Sequence, residues 1–416
     1  MVELIRILIY ASIYLGLVAT TFYILSFFAY RKKEKLLYAD NELPKVTVLI
    51  PAYNEEDSIE KTIRSVAVSK YPKGKLDILV IDDGSKDNTF SNAKKLEKEF
   101  SFLKVIHKEN GGKGSALNLG ISKANAEIIF TMDADTRVEN YSLINMTRYF
   151  KDPTVYSVTP GMVTEKPKTI WQRVQHVEYL QGLFLRRAFA SLNSIYITPG
   201  AFSAYRKSFF DEYGGYDVGN ITEDLEIALR IQFNGYRIEN CLEAPAYTIA
   251  PKHFSDLLKQ RRRWYYGLIK NMWKYKAMFG KKYGDLGIFV LPIAWISILF
   301  SLVIAIYAIG DTLNKVFTEI SFYNSIHFNF YSAYDINRFF IERFLFEYFT
   351  NPVVIFVLVF MVCLGSYIRY GIRKIGDSSG VIINIPIYFL LFSVLFAIWW
   401  TVSIFYAIFA KTIKWK

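Results

Sequence analysis

Four stretches of this chain carry no charged residue: Ile7 to Tyr30, Leu286 to Gly310, Phe349 to Ile368 and Ser378 to Ala410. A hydrocarbon core about 30 Å thick is crossed by about 20 residues of helix, so each stretch is long enough to span. One such run can be a buried core helix, but four in a single chain point to a membrane protein. The first outlasts a signal-peptide core, ends without a small-residue cleavage site and runs into Arg31, Lys32 and Lys33.

Lys and Arg flank the cytosolic ends of spanning helices. Arg31, Lys32, Lys33 and Lys35 follow the first stretch, and Lys274, Lys276, Lys281 and Lys282 precede the second. Both flanks place the segment between them in the cytosol. Arg369, Arg373 and Lys374 compete with Lys411, Lys414 and Lys416 for that side. If every stretch spans once, both groups cannot be satisfied. Either the aromatic segment from Phe317 to Tyr348 lies in the interface or one late stretch is re-entrant.

With 416 residues, 52% hydrophobic and 21% charged, the chain is too apolar for disorder and too charged for a bare membrane bundle. Its two cysteines, Cys241 and Cys363, exclude a disulfide framework, and its four scattered histidines argue against a Cys/His zinc site. The net charge of +12 sits mainly beside the apolar stretches. Attraction to membrane lipids explains that placement better than nucleic-acid binding, for which no motif is present.

Residues from about 40 to 250 read as an α/β domain. Val46–Ile50, Leu76–Ile81, Leu103–Ile106 and Ile128–Met132 are short apolar strands, with helical patterns between them. That alternation predicts a mostly parallel sheet covered on both faces, with ligands outside the carboxyl ends of its strands. Tyr53 and Asn54, Asp82 and Asp83, and Asp133 and Asp135 all fall there. No G-x-G-x-x-G follows the first strand, and Gly111–Ser115 lacks the Walker spacing, so dinucleotide and ATPase readings are weak.

Each candidate also has a purely structural reading. Asp133 and Asp135 suit a solvated loop, or a hard cation held by one or two carboxylates and by substrate phosphate. Asp82 and Asp83 precede Gly84 as in a turn, but a carboxylate there can accept an N–H from a pyrimidine base. Lys113 between glycines suits a solvated loop or a phosphate. Thr222 reads as an N-cap with Glu223 and Asp224 in the first helical turn. A carboxylate at a helix start is also favoured in its charged form, which a general base needs. Gln260 to Trp264 reads as a basic interfacial helix, with Trp able to stack on a sugar and Arg to fork onto phosphate. Trp171 to Leu192 reads as another interfacial helix, with His176 on its polar face rather than a ligand.

In chain order, PAYNEE, DDGSKDNT, GGKGSALN, DAD, TPGAFSAYR, TED and QRRRW resemble the inverting, membrane-integrated family 2 glycosyltransferases. Within them the pattern is similar to the poly-N-acetylglucosamine, hyaluronan and cellulose synthase group, over about Pro44 to Gly267. The resemblance implies a GT-A fold, a Rossmann-like sheet inserted between transmembrane and interfacial helices. It implies an N-terminal transmembrane helix in residues 1–38, a cytosolic catalytic domain in 39–250, interfacial helices with QxxRW in 251–284 and transmembrane helices in 285–416.

The same resemblance implies roles. Ala52, Tyr53, Glu55 and Asp83 would hold uridine, and Lys113 would approach the diphosphate. Asp133 would lie near ribose or diphosphate, and Asp135, with Asp133, would ligate Mg²⁺ or Mn²⁺. Gly200, Ala201, Phe202 and Glu223 would lie beside the acceptor, and Asp224 would be the base. Gln260, Arg263 and Trp264 would bracket diphosphate and acceptor sugar. The implied reaction is inverting transfer from a UDP-sugar to a growing polysaccharide, with an accessory subunit as a further partner. The chain departs from the pattern in having one leading apolar stretch, no regulatory domain after the later ones, and no cysteine in Thr198–Phe202. The rival enzymatic reading is transfer of one sugar to a lipid. A transporter with a nucleotide-sensing domain is disfavoured, because the apolar stretches carry no intramembrane charge.

Overall fold

A computed structural model of the protein describes residues 2–31, 36–325, 338–350, 352–375 and 381–409. Lys32, Lys33, Lys35, Lys411, Lys414 and Lys416, which entered the topological argument, lie outside them, as does the middle of the aromatic segment from Phe317 to Tyr348.

The chain opens with helix α1 (Val2–Arg31). It then alternates through β1 (Val46–Ala52), α2 (Ile59–Ala67), β2 (Leu76–Asp82), α3 (Thr89–Leu96), β3 (Leu103–His107), α4 (Lys113–Lys123) and β4 (Ile128–Met132). These are the four strands read from the sequence, and β1 pairs in parallel with β2 and β4, as β2 does with β3. Their runs are largely apolar because both faces are covered, with Asp77 in β2 and Lys104 in the edge strand β3 as interruptions. Val46, Val48, Ile50, Ile78, Val80 and Phe130 pack on one side, and Leu49, Ile81 and Ile129 meet Ala116 and Leu117 of α4 on the other.

The second half continues with β5 (Arg137–Val138), α5 (Ser142–Thr147), β6 (Val155–Thr164), α6 (Ile170–Ser191), β7 (Phe202–Arg206), α7 (Lys207–Tyr213), α8 (Glu223–Phe233) and β8 (Arg237–Thr248). All eight strands form one sheet in the order β3-β2-β1-β4-β7-β6-β8-β5. β7 runs antiparallel to both β4 and β6, while β6 and β8 are parallel. The sheet is therefore mostly parallel, with β7 reversed at its centre and β5, antiparallel to β8, at its edge.

Helices α9 (Phe254–Lys274), α10 (Leu291–Ser325), α11 (Arg338–Thr350), α12 (Pro352–Ile375) and α13 (Val381–Phe409) complete the described chain. Among the described residues four segments are long and apolar enough to cross a membrane: Glu3–Phe28, Leu286–Phe322, Val354–Lys374 and Ile383–Phe409. Leu25, Leu299, Val362 and Leu390 on them are exposed, as lipid-facing residues are.

Contacts divide the chain into two bodies, Met1–Phe22 with Pro292–Arg369 and Tyr23–Leu291 with Tyr370–Lys416. In the first, the Tyr367 hydroxyl donates to the Thr20 carbonyl at 3.4 Å. The second holds the whole sheet and also α13, which packs on α6 and α9. The expected boundary at residue 285 thus separates α13 from the elements it packs on. Tyr265 stacks on Trp400 at 4.6 Å, and the Tyr388 hydroxyl donates to Gln181 at 2.9 Å. Arg261 forks onto Glu178 at 2.8 and 2.6 Å and lies over the rings of Trp264 and Trp399. His176 departs from the expected polar face: it is fully buried, with Nδ1 at 3.0 Å from the Thr164 hydroxyl.

Candidate active site

The parallel strands deliver acids to one rim of the sheet. Asp82 ends β2 and Asp83 follows it, and the Asp83 N–H donates to the Ala52 carbonyl at 2.8 Å, which locks the tips of β1 and β2 together. Asp83 is 3% exposed. Its Oδ1 accepts from Lys108 Nζ at 2.6 Å and from the Gly111 N–H at 3.0 Å, and its Oδ2 accepts from the Gly112 N–H at 2.8 Å. The first partners of this carboxylate are therefore in the loop that presents Lys113, which composition gave no reason to expect. Asp82 is fully buried with Oδ2 at 2.6 Å from His107 Nδ1. Ala52 is buried, and Tyr53 beside it is exposed. The Glu55 N–H donates to Thr89 Oγ1 at 2.7 Å, and its carboxylate accepts from Ser58 at 2.6 Å.

Lys113, the first residue of α4, stands where three sequence-distant segments meet. Its Nζ is 2.5 Å from Asp133 Oδ1 and 3.6 Å from Glu223 Oε1, and donates to the Gly200 carbonyl at 3.4 Å. The Gly200 N–H donates to Asp224 Oδ2 at 3.1 Å, and the Leu225 N–H donates to Asp224 Oδ1 at 2.9 Å. A Cβ at Gly200 would stand 2.8 Å from Asp224 Oδ2 and 3.0 Å from Lys113 Nζ. Only glycine lets the backbone come this close. Behind it, the Thr198 hydroxyl donates to the Asp224 carbonyl at 2.7 Å and accepts from Tyr205 at 2.9 Å. Thr198 and Tyr205 lie within the TPGAFSAYR run but carried no signal of this supporting role.

The electrostatics follow from this crowding. Burial alone would lower the Lys113 pKa, but Asp133, Glu223 and Asp224 raise it above the ordinary lysine value. Burial raises Glu223 above its ordinary value; Lys113 pulls the other way and Asp224 adds to the rise. Asp135 is pushed up to about 7, first by burial and then by the charges of Asp133 and Glu55. Burial is also the main cause that raises Glu55.

The corner around Asp135 is thus short of positive charge, and its donors are oxygens. That fits a hard divalent cation. Among the described residues no three His, Cys, Asp or Glu side chains converge to hold a metal by themselves, so substrate oxygens and water would complete the shell around Asp135 and Asp133.

Glu55, Lys113, Asp133, Asp135, Gly200, Glu223 and Asp224 are joined by these contacts and charges, and Arg263 reaches the group through its charge on Glu223. Ala201 joins through its carbonyl, which accepts from the Asp133 N–H at 3.0 Å. Phe202 departs from the expectation. Its ring is fully buried and stacked on Phe130 at 5.5 Å, so it serves the core. Thr222 also departs, because its side chain makes no capping bond to α8. On α9 the Gln260 Oε1 is buried and accepts no hydrogen bond among the described residues. Trp264 has the Arg261 guanidinium over its ring at 4.4 Å.

Residues 47–214 match the profile of glycosyl transferase family 2. A poly-β-1,6-N-acetyl-D-glucosamine synthase of Staphylococcus aureus is 32% identical over 261 residues, which are 62% of this chain and 63% of the relative. The synthase of Staphylococcus epidermidis is 30% identical over 234 residues, 55% of this chain and 56% of the relative. The chain thus spans less than two thirds of the length of these relatives. Among solved structures, a mannosyltransferase from Pyrobaculum calidifontis in complex with GDP-Man and Mn²⁺ superposes with a TM-score of 0.55 at 23% identity, over 74% of this chain and 92% of the other. The likeness establishes the GT-A type of fold.

Proposed function

We propose that the chain is a membrane-embedded, inverting glycosyltransferase that uses a UDP-sugar of the N-acetylglucosamine or glucose type to extend and export a β-linked polysaccharide. The observation that carries the reading is the meeting of Asp224, Lys113 and Asp133 around Gly200. The synthases named above support a polysaccharide product over a single-sugar lipid. The basic flanks of the apolar stretches support a cytosolic catalytic domain. An accessory subunit remains part of the proposal.

In this reading the Gly200 and Leu225 N–H groups aim the Asp224 carboxylate, which takes the proton of an acceptor hydroxyl. That oxygen bonds to the anomeric carbon as the bond from this carbon to the diphosphate breaks, so an α-linked donor gives a β-linked product. Lys113 and Arg263 stabilise the charge on the departing UDP. A bound Mg²⁺ or Mn²⁺ would neutralise more of that charge, and Asp135 with Asp133 would hold it. Gln260, with its unsatisfied Oε1, and the Trp264 ring are the acceptor-side groups on α9. Ala52, Tyr53, Glu55 and Asp83 shape the uridine end.

Asp224→Asn tests the assignment. It should lower turnover about 10²- to 10⁴-fold, the usual contribution of a general base, while UDP still binds. Undiminished turnover would refute it. Product length on a gel separates the two acceptors: a single-sugar lipid product would end the polysaccharide reading.

A further inference from the structure

Helix α9 carries Gln260–Trp264 in its first half and crosses the start of α8 in its second. At the crossing lies Gly267, which is buried. A Cβ there would stand 2.1 Å from Thr222 Oγ1, 2.4 Å from Thr222 Cγ2 and 2.8 Å from Thr222 Cβ. Contacts that short are excluded, so a side chain at this position must displace Thr222 or α9. One turn on, Asn271 is 1% exposed. Its Nδ2 donates to Thr222 Oγ1 at 3.0 Å and to Asn220 Oδ1 at 3.3 Å, and its Oδ1 accepts from Asn220 Nδ2 at 2.9 Å. Asn220 Oδ1 also accepts from the Thr222 N–H at 3.1 Å. Further along, Glu226 accepts from the Tyr275 hydroxyl at 2.6 Å and from Lys274 at 3.0 Å.

A threonine just before a helix ordinarily caps it. Here the hydroxyl is turned to the neighbouring helix instead. Thr222 is two residues from Asp224, and an error of about 1 Å in a reacting group can cost 10²-fold in rate. We infer that Gly267, Asn271 and Asn220 form a joint that sets the position of the Thr222–Asp224 segment, and so act as positioning residues for the transfer proposed above, on which this inference rests. Through this joint α9 places both ends of the site: Gln260 to Trp264 directly, and Asp224 through Thr222.

The test is a set of variants of the full chain, assayed for kcat, donor KM and UDP affinity. Gly267→Ala should lower kcat at least about tenfold while donor KM and UDP affinity stay within about twofold. Adding Thr222→Ser, which removes Cγ2 and frees the hydroxyl to rotate, should restore at least about threefold of that loss. If Gly267→Ala does not fold, Asn271→Ala and Thr222→Val replace it. Each should lower kcat several-fold, and the double variant should be no slower than the worse single, since both delete the same bond. Wild-type kcat in Gly267→Ala, a parallel loss of UDP binding, or additive losses in the double variant would overturn the joint. If the wild type transfers no sugar from any nucleotide donor, the proposed function fails by itself. The joint is then judged on thermal midpoints of the Asn271→Ala and Thr222→Val pair, where non-additivity supports it and additivity overturns it.

Discussion

Strands β1, β2 and β4 bring their carboxyl ends to the site, whereas β7 brings its amino end. Of these, β2 ends in Asp82 with Asp83 next, and β4 leads into Asp133 and Asp135, so a short apolar run followed by acids marks both in the sequence. β7 pairs antiparallel with β4, with Phe202 opposite Met132. The segment before it, Thr198 to Ala201, therefore returns to the same rim from the opposite direction. One reversed strand is what lets Gly200 touch Lys113 and Asp224 together. In the proposed reading the donor and acceptor halves of the site are thus joined by the Gly200 backbone as well as by the Lys113–Glu223 ion pair.

The sharpest way to break this comparison is Gly200→Ala. Its Cβ would collide with Asp224 and Lys113, so kcat should fall about 10²-fold with the fold retained, as read by circular dichroism; unchanged kcat would mean that the halves are not coupled there. Lys113→Ala removes the cation that faces Asp133 and Glu223. It should lower kcat/KM about 10- to 100-fold, the worth of one charged hydrogen bond, with a larger effect on donor KM than on acceptor KM. In the proposed reading Asp83→Asn acts first on the donor half. Calorimetry should show UDP binding weakened up to about tenfold through the loop of Gly111 and Gly112, with acceptor kinetics nearly unchanged.

The smallest expected effect is a pH dependence. Asp135, at about 7 in the folded protein against an ordinary 3.8, holds a proton that the unfolded chain releases. Stability therefore falls as pH rises between those two values. In chelator, the thermal midpoint should drop from about pH 5 to about pH 8, and Asp135→Asn should flatten that slope. An equal slope in both proteins would remove Asp135 as its source.

The parallel half was legible because its strands are short, mostly apolar runs, two of which, β2 and β4, lead straight into acids. The second half was not. β6 contains Pro160 and Gly161 and shifts register there, and β8 carries Glu239, Glu243 and Pro245 within its length. Neither shows the alternation or continuity that identifies a strand. Within the site, the acids and Lys113 were legible as chemistry, but their supports were not. Thr222 looked like a helix cap because propensity is local, and its true partner, Asn271, lies on another helix. Phe202 matched an acceptor segment by position, yet its ring belongs to the core. Gly267 did leave a trace. A glycine inside a helix costs about 1 kcal/mol relative to alanine, and that cost calls for a close approach.

The central claim is single displacement at one anomeric carbon by an oxygen that Asp224 deprotonates. NMR of the product made from an α-linked UDP-sugar tests it most directly. A β-configured new linkage is the predicted result, and an α-configured linkage would contradict the account.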